Sequence, residues 1–390
     1  MLVLHVFVSS QVVTVTQELI KVAFCAAELD SDVLLKQFQK QHTDIRNSKT
    51  CNVLMSSFDP LPLDGNLSFF VEGTRTSQQE EFVNWLSGNK PLFFVHGQHG
   101  CGKSVLLAKL VETCQNEGLS VAHYFFQHND AADLAVAIQG LAYQLTKQLP
   151  DLEDMLAAKM QCLHSWLDTP ARLFEELIVG PLRTFFSSPR AMQVVLLLDA
   201  LDECNEEHKL LEIIGSHLSG ARALPSGVRV VVSSCSPLSP SLPSFLCQVC
   251  PLGAAGDKAN EGDVRLALKS WFQDDICGLR KAFQDWKMQD AEAEAACCQL
   301  AEDIQIIGKS VFIYAKVACG VVKASAASCQ DLAELKSLVR TFPSDLPELL
   351  LGYIRRVFQA MQEDKDKGIR TSCERLLQCV IAVGVTTSSI

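Results

Sequence analysis

The run Gly97-Gln98-His99-Gly100-Cys101-Gly102-Lys103-Ser104 stands directly after the apolar "PLFFV" and directly before "VLLAKLV". Glycines remove the side chains that would stop a backbone from curling around an anion, and the first turn of a helix presents N–H groups with no acceptor inside the helix. The spacing G-x-x-x-x-G-K-S places an ammonium and a hydroxyl at that helix start. There Lys103 would reach the β- and γ-phosphates of a nucleotide and Ser104 would ligate Mg²⁺. A plain glycine turn is the alternative, and it leaves Lys103 and Ser104 without a role. All eight positions, Gly97 through Ser104, are therefore read as a phosphate loop that binds the nucleotide.

The context is what such a loop requires. "LFFVH" reads as a strand before it, and Leu106 with Leu110, and Leu107 with Val111, recur at helical spacing after it. "SVAHYFF" reads as a second strand, followed by a helix with its apolar stripe on Leu134, Ile138, Leu141, Leu145 and Leu149. "MQVVLLLDALDEC" and "GVRVVVSSC" are continuous apolar runs, the pattern of parallel strands buried on both faces, and "FLCQVCPL" reads as a fifth strand. Strands alternating with helices predict an α/β fold, a parallel sheet covered by helices. From about residue 255 the texture turns helical, in "DVRLALKSWF", "AEAEAACCQLAEDI", "VFIYAKVACGVV" and "LPELLLGYIRRVFQAM", the last with Leu350, Ile354, Val357 and Met361 on one face. The domains expected are residues 1–66 of unknown role, a core at 67–254, an all-α domain at 255–345 and a further segment at 346–390.

With 390 residues, nearly half of them apolar, the chain is globular and long enough for two or three domains. A net charge of −11 argues against general affinity for nucleic acid, which needs a basic surface to displace counterions. Sixteen cysteines are scattered without the regular spacing of a disulfide scaffold, so they read as reduced, mostly buried thiols in a cytoplasmic protein. Cys247 and Cys250 have CxxC spacing; packing residues in a strand are the favoured reading, and half of a zinc or redox site the alternative. The opening "MLVLHVFVSSQVVTV" is too short to span a membrane and lacks the positive flank of a signal peptide, so it reads as a buried element. A signal peptide or a misassigned first exon are its alternatives. No membrane association is expected.

The second chemical element is "VVLLLDALDE". An aspartate ending a hydrophobic strand downstream of the loop is placed to hold Mg²⁺, which makes Asp199 and Ser104 the metal residues. Asp202 and Glu203 follow on the turn, near enough for one to orient or deprotonate an attacking water, and are the catalytic candidates. Capping of the helix that begins near "NEEHKLL" is the structural alternative.

Together the two motifs resemble the NACHT class of STAND P-loop NTPases. "LLLDALDEC" is similar to that class's extended Walker B, in which a small residue follows the Mg²⁺ aspartate and two further acids come shortly after. "GTRTSQQEEFVNWL", "AHYFFQHND", "LAYQLTKQLPDL", "GKSVFIYAKVACGVV" and "FPSDLPELLLGYIRRVF" look like blocks of its nephrocystin-type and fungal incompatibility-type branch, over about residues 68–362. The resemblance implies a signalling switch. A nucleotide held between the sheet and the following helical domain would bias a closed form against an open, self-associating one that engages protein partners, with slow ATPase turnover. It also implies that residues 346–390 open a winged-helix domain and that the chain is a fragment. Arg75 in "GTR" is similar to the family arginine near the base-binding edge; on residues alone, a solvated surface arginine is the favoured reading. One departure stands out: where the family ends its fourth strand with an arginine that senses the γ-phosphate, this chain has Cys235.

Three functions compete on these residues: a slow ATP-hydrolysing switch, a nucleotide-binding but hydrolysis-deficient scaffold, and a small-molecule phosphotransferase. The last needs an arginine-rich lid, and no such cluster appears. ATP and GTP both stay open as ligands, although "NKPL" at Asn89 lacks the aspartate of a guanine reader.

Overall fold

The computed structural model describes residues 63–350, apart from 127–133, 153–155, 157–168, 188–191, 222, 239–241, 254–255, 274–278 and 327. Expectations for residues 1–62, for the end of "AHYFFQHND", and for Ile354, Val357, Met361 and the rest of a winged-helix segment beyond 350 lie outside the described residues.

By contacts the chain divides into two units: up to Ser68 with Glu80–His96 and Lys103–Cys250, and Phe69–Gln79 with Gly97–Gly102 and Pro251–Ile390. The first takes helix α1 (Thr76–Leu86) from Glu80 onward, which leads through a turn into strand β1 (Leu92–Gly97); α2 (Lys103–Asn116), β2 (Ser120–Phe125) and α3 (Leu134–Gln148) follow. Next come α4 (Pro170–Phe174), a π-helical turn at Glu175–Val179, α5 (Gly180–Phe185), β3 (Val194–Asp199), α6 (Glu207–Ser216), β4 (Val228–Ser234) and β5 (Cys247–Leu252). The strands form a five-stranded sheet in the order β2-β3-β4-β1-β5. The pairs β1 with β4, β2 with β3 and β3 with β4 are parallel.

Every residue of β3 and of β4 is buried, as their runs of Val and Leu imply, and the burial takes in Asp199, Arg229, Ser233 and Ser234 as well. β5, at an edge, is buried only in part, and residues three apart on a strand point to opposite faces. Cys247 joins the main core cluster and Cys250 does not, which argues against the two sharing a metal ion. Leu106, Leu107, Leu110 and Val111 of α2, and the α3 stripe with Leu149 just beyond it, are essentially inaccessible to solvent. Phe82 and Trp85 of α1 pack on Phe93 of β1, with ring centroids 5.6 and 5.2 Å away. Such aromatic pairs add about 0.5–1.5 kcal/mol each beyond their buried area.

From β1 the chain runs to β2 at the far edge, while from β4 it passes beyond β1 to β5. Right-handed connections leaving adjacent parallel strands in opposite directions lie on opposite faces of a sheet, and the crevice opened at those strand ends is where open α/β sheets take ligands. β1 ends at Gly97 and β4 at Ser234, so the phosphate-loop sequence begins at that place.

The second unit carries α7 (Lys258–Gln273), α8 (Leu279–Asp285), α9 (Asp290–Ile307), α10 (Phe312–Ala326) and α11 (Leu332–Arg340). Their shared core includes Val264, Leu268, Leu300, Ile304, Ala318, Val322 and Leu335. A tight turn joins α9 to α10. Lys309 and Ser310 both take positive φ there (50° and 60°), and a side chain at Gly308 would strike Tyr314. Asn260 Nδ2 donates to the Ser310 carbonyl at 2.9 Å and Gln305 Nε2 to its hydroxyl at 2.8 Å, holding a conformation that non-glycine residues otherwise avoid. A parallel sheet carrying a glycine loop at the end of an inner strand, followed by a helical region, is the P-loop NTPase architecture expected from the sequence.

Candidate functional site

In the sheet unit, α2 opens with Lys103 and Ser104, which puts both at the helix end where N–H groups lack intrahelical acceptors. Lys103 is buried, 8% exposed, and its Nζ donates to Cys235 Sγ at 2.8 Å. The Ser104 hydroxyl hydrogen-bonds the Asp199 carboxyl. Asp199 ends β3 at 2% exposure. Burial pushes its carboxyl above the ordinary range, against the pull of Ser104, Ser233 and Lys103. A hydroxyl and a carboxylate brought together in this way are hard oxygen ligands of the kind Mg²⁺ takes, and the ion's charge would offset the cost of ionising Asp199 so far from water.

β3 stops at Asp199 because Ala200 turns left-handed, with φ of 54°. Its N–H donates to Ser233 Oγ at 2.9 Å, and Ser233 Oγ in turn donates to Asp199 Oδ1. One hydroxyl therefore fixes both the carboxylate and the strained residue after it. The 3₁₀ turn Leu201–Glu203 follows. It delivers Asp202 to the end of β4, where Oδ1 accepts the Cys235 N–H at 2.9 Å. Burial alone would raise the Asp202 carboxyl, but the Cys235 amide and thiol and the Lys103 charge outweigh it and hold the group below its usual range. An ionised group of that kind accepts hydrogen bonds from water better than it removes a proton. Glu203 lies half-buried on the same turn. The following helix α6 begins at Glu207, and Glu206, rather than either of these two acids, stands in its cap position. Burial drives the Cys235 thiol up to about 12 even with Lys103 beside it, so it is neutral.

The preceding part of the loop is counted with the helical unit. Gly97 is needed for space, since a Cβ there would lie 2.7 Å from Cys101 Sγ and from the Leu252 carbonyl oxygen. Gly100 and Gly102 are needed for conformation, with φ of 74° and 92°. Gln98 is exposed, His99 half-exposed and Cys101 buried. The Gly100 carbonyl accepts the Ile313 N–H at 3.1 Å. Arg75 corrects the favoured reading of a solvated arginine: it is 4% exposed, and its Nη2 donates to the Cys101 carbonyl at 2.7 Å. Asp263 Oδ2 accepts the Arg75 backbone N–H at 3.1 Å and lies 3.7 Å from Nη1, while the guanidinium sits 4.8 Å from the Phe312 ring centre.

The structure thus brings Lys103, Ser104, Asp199 and Asp202 together in the sheet unit. Ser233 was missed at the sequence level. Its only signal is a pair of hydroxyls directly after three valines, in "VVVSSC".

The family described as Nephrocystin 3, N-terminal, matches residues 73–235, a span that contains both the loop and the "DALDE" turn and is less than half of the chain. No curated protein matches. Among solved structures the chain is similar to domain III of the Thermotoga maritima replication initiation protein DnaA, with 14% identity and a TM-score of 0.34 over 73% of this chain and all of that one. AMPPCP-bound DnaA from Aquifex aeolicus shows 16% identity and a TM-score of 0.31, covering 83% of this chain and 98% of that one. Drosophila ORC bound to AT-rich DNA and Cdc6 shows 13% identity and a TM-score of 0.30, covering 91% of this chain and 54% of that one. No functional inference follows from likeness at that level.

Proposed function

We propose that the chain binds a purine nucleoside triphosphate with Mg²⁺ through Gly97, Gln98, His99, Gly100, Cys101, Gly102, Lys103 and Ser104, and hydrolyses it slowly as a conformational switch of the NACHT class. The observation that carries the binding reading is the hydrogen bond between Ser104 and Asp199, residues far apart in sequence that would be adjacent ligands of one Mg²⁺. Lys103 would hold the β- and γ-phosphates after exchanging its contact with Cys235 for them. Asp202 would orient the attacking water, with Glu203 as its neighbour on the turn. Mg²⁺, when bound, would supply charge neutralisation for the phosphate oxygens.

The switch reading rests on the resemblance of "LLLDALDEC" to the NACHT class and on the family match across it. It carries with it the proposals of self-association, protein partners and a cytoplasmic site, and of domain boundaries near residues 67, 255 and 346. Among the described residues no helix is long and apolar enough to cross a membrane.

A second reading has its own observation. The end of β4 carries a neutral thiol where the resemblance places an arginine, which fits a scaffold that binds nucleotide without turning it over.

Equilibrium binding of fluorescent ATP and GTP with Mg²⁺ tests the first claim. Lys103→Ala is expected to abolish binding, and equal binding by both proteins would reject the site. Turnover of Asp202→Asn separates the two readings: a fall below wild type supports the switch, and identical background rates support the scaffold.

A further inference from the structure

We propose that Arg75 is a positioning residue that selects the anion-binding orientation of the loop by holding the Cys101 carbonyl, and does not act by contacting the nucleotide base. The inference rests on the phosphate-loop reading above and deepens it.

The argument begins with the rigidity of the peptide unit. Carbonyl and N–H point in opposite directions across a trans peptide, so the Cys101 carbonyl and the Gly102 N–H belong to one plate. Turning that plate over needs only a change of ψ at Cys101 and φ at Gly102. Gly102, at φ of 92°, tolerates either sign at little cost. The glycine that lets the loop form therefore leaves this plate free to face either way. In one orientation the Gly102 N–H is available to a phosphate. In the other a carbonyl oxygen takes its place and repels the anion.

Arg75 breaks the tie. Its Nη2 donates to the Cys101 carbonyl at 2.7 Å, in a setting where the arginine is 4% exposed, so the bond is shielded from competing water. The guanidinium is held in turn. Asp263 takes the Arg75 main-chain N–H at 3.1 Å and lies 3.7 Å from Nη1, and the Phe312 ring lies 4.8 Å from the guanidinium carbon. Arg75 itself has φ of 55°, a conformation that a non-glycine residue keeps only when its surroundings enforce it. A planar fork with several donors can meet the carbonyl and the carboxylate at once, whereas an ammonium on a flexible stem delivers the same charge without that geometry.

Two probes separate this role from the alternatives: MgATP, and inorganic tripolyphosphate with Mg²⁺, which has the phosphate tail and no base. Affinities are measured by calorimetry for wild type, Arg75→Lys, Arg75→Ala and Phe312→Leu, with unliganded melting temperatures alongside. Loss of one charge-assisted hydrogen bond corresponds to about a tenfold to hundredfold weakening. Arg75→Lys, which keeps the charge, is expected to weaken both probes by the same factor, about tenfold. Phe312→Leu, which keeps the arginine and removes the face that orients it, is expected to weaken both by a few fold, and it carries the test together with Arg75→Lys if Arg75→Ala does not fold. Arg75→Lys with wild-type affinity for both probes overturns the positioning role, because charge alone then suffices. Weakened ATP with unchanged tripolyphosphate also overturns it, in favour of a base contact. Wild-type protein that binds neither probe removes the phosphate-loop reading and this proposal with it.

Discussion

His123 offers a measurement whose size follows from its surroundings. It lies on β2 at 6% exposure, and neither ring nitrogen has a hydrogen-bond partner. Its main-chain N–H and carbonyl are both taken by the Gln144 side chain, at 2.9 and 2.7 Å, and the ring meets Phe125 edge to face at 5.8 Å. Burial therefore lowers the imidazole from 6.5 to about 4. The unfolded chain takes up this proton near pH 6.5, and the folded protein only near pH 4. Between those values the unfolded state binds more protons, so stability is full above pH 6.5 and falls as the pH drops through the window. At about 1.4 kcal/mol per decade the full loss is about 3 kcal/mol, of which about 2 kcal/mol has gone by about pH 5.

Urea unfolding of wild type and His123→Leu at several pH values between about 5 and 8 isolates that contribution. Other groups titrate as well. Glu175 and Asp202, lowered when folded, lose their contribution as acid protonates them, and Asp199 and Asp263, raised when folded, act in the opposite sense. They are common to both proteins and cancel in the difference. The variant is expected to gain on wild type by about 2 kcal/mol between about pH 8 and pH 5. A difference that stays constant across that range would refute the reasoning, because it would mean that the folded protein finds room or a partner for the charged ring.

Gly100→Ala would place a Cβ 2.1 Å from Ile313 Cγ2 at a φ of 74°, and is expected to lower stability by about 1–3 kcal/mol, read as a depressed melting temperature; an unchanged melting temperature would show that the Ile313 contact is dispensable. Ser233→Ala removes the donor to Asp199 and the acceptor of the Ala200 N–H together, so a loss of about 1–3 kcal/mol in urea unfolding is expected, and no loss would mean that water replaces the hydroxyl. Cys235→Arg adds a cation at the end of β4 and is expected to raise ATP turnover by about tenfold or more if transition-state charge there lacks a partner; turnover at the wild-type level would favour the scaffold reading.

What the sequence disclosed and what it hid divide along a physical line. β3 and β4 were legible because consecutive Val and Leu residues put apolar side chains on both faces, and the loop because glycine, lysine and a hydroxyl at that spacing answer one chemical demand. Such signals are local. The burial of Arg75 is not: whether an arginine is solvated or enclosed is decided by its partners, and here they are Asp263, 188 positions away, the Cys101 carbonyl and the Phe312 ring. Ser233 was invisible for a related reason. Its neighbours along the chain say nothing of Asp199, which becomes its partner only through the register that sets Leu198 beside Val232. Left-handed turns at Ala200, Lys309 and Ser310 were hidden too, because the usual marker, glycine, is missing and the conformation is enforced by hydrogen bonds from elsewhere. In two of these cases the illegible residue holds a legible one in place: Ser233 holds Asp199, and Arg75 the main chain just before Lys103. A substitution at a supporting position should therefore weaken the site while every motif residue remains, so an intact "GQHGCGKS" and "DALDE" are necessary for nucleotide binding without being sufficient for it.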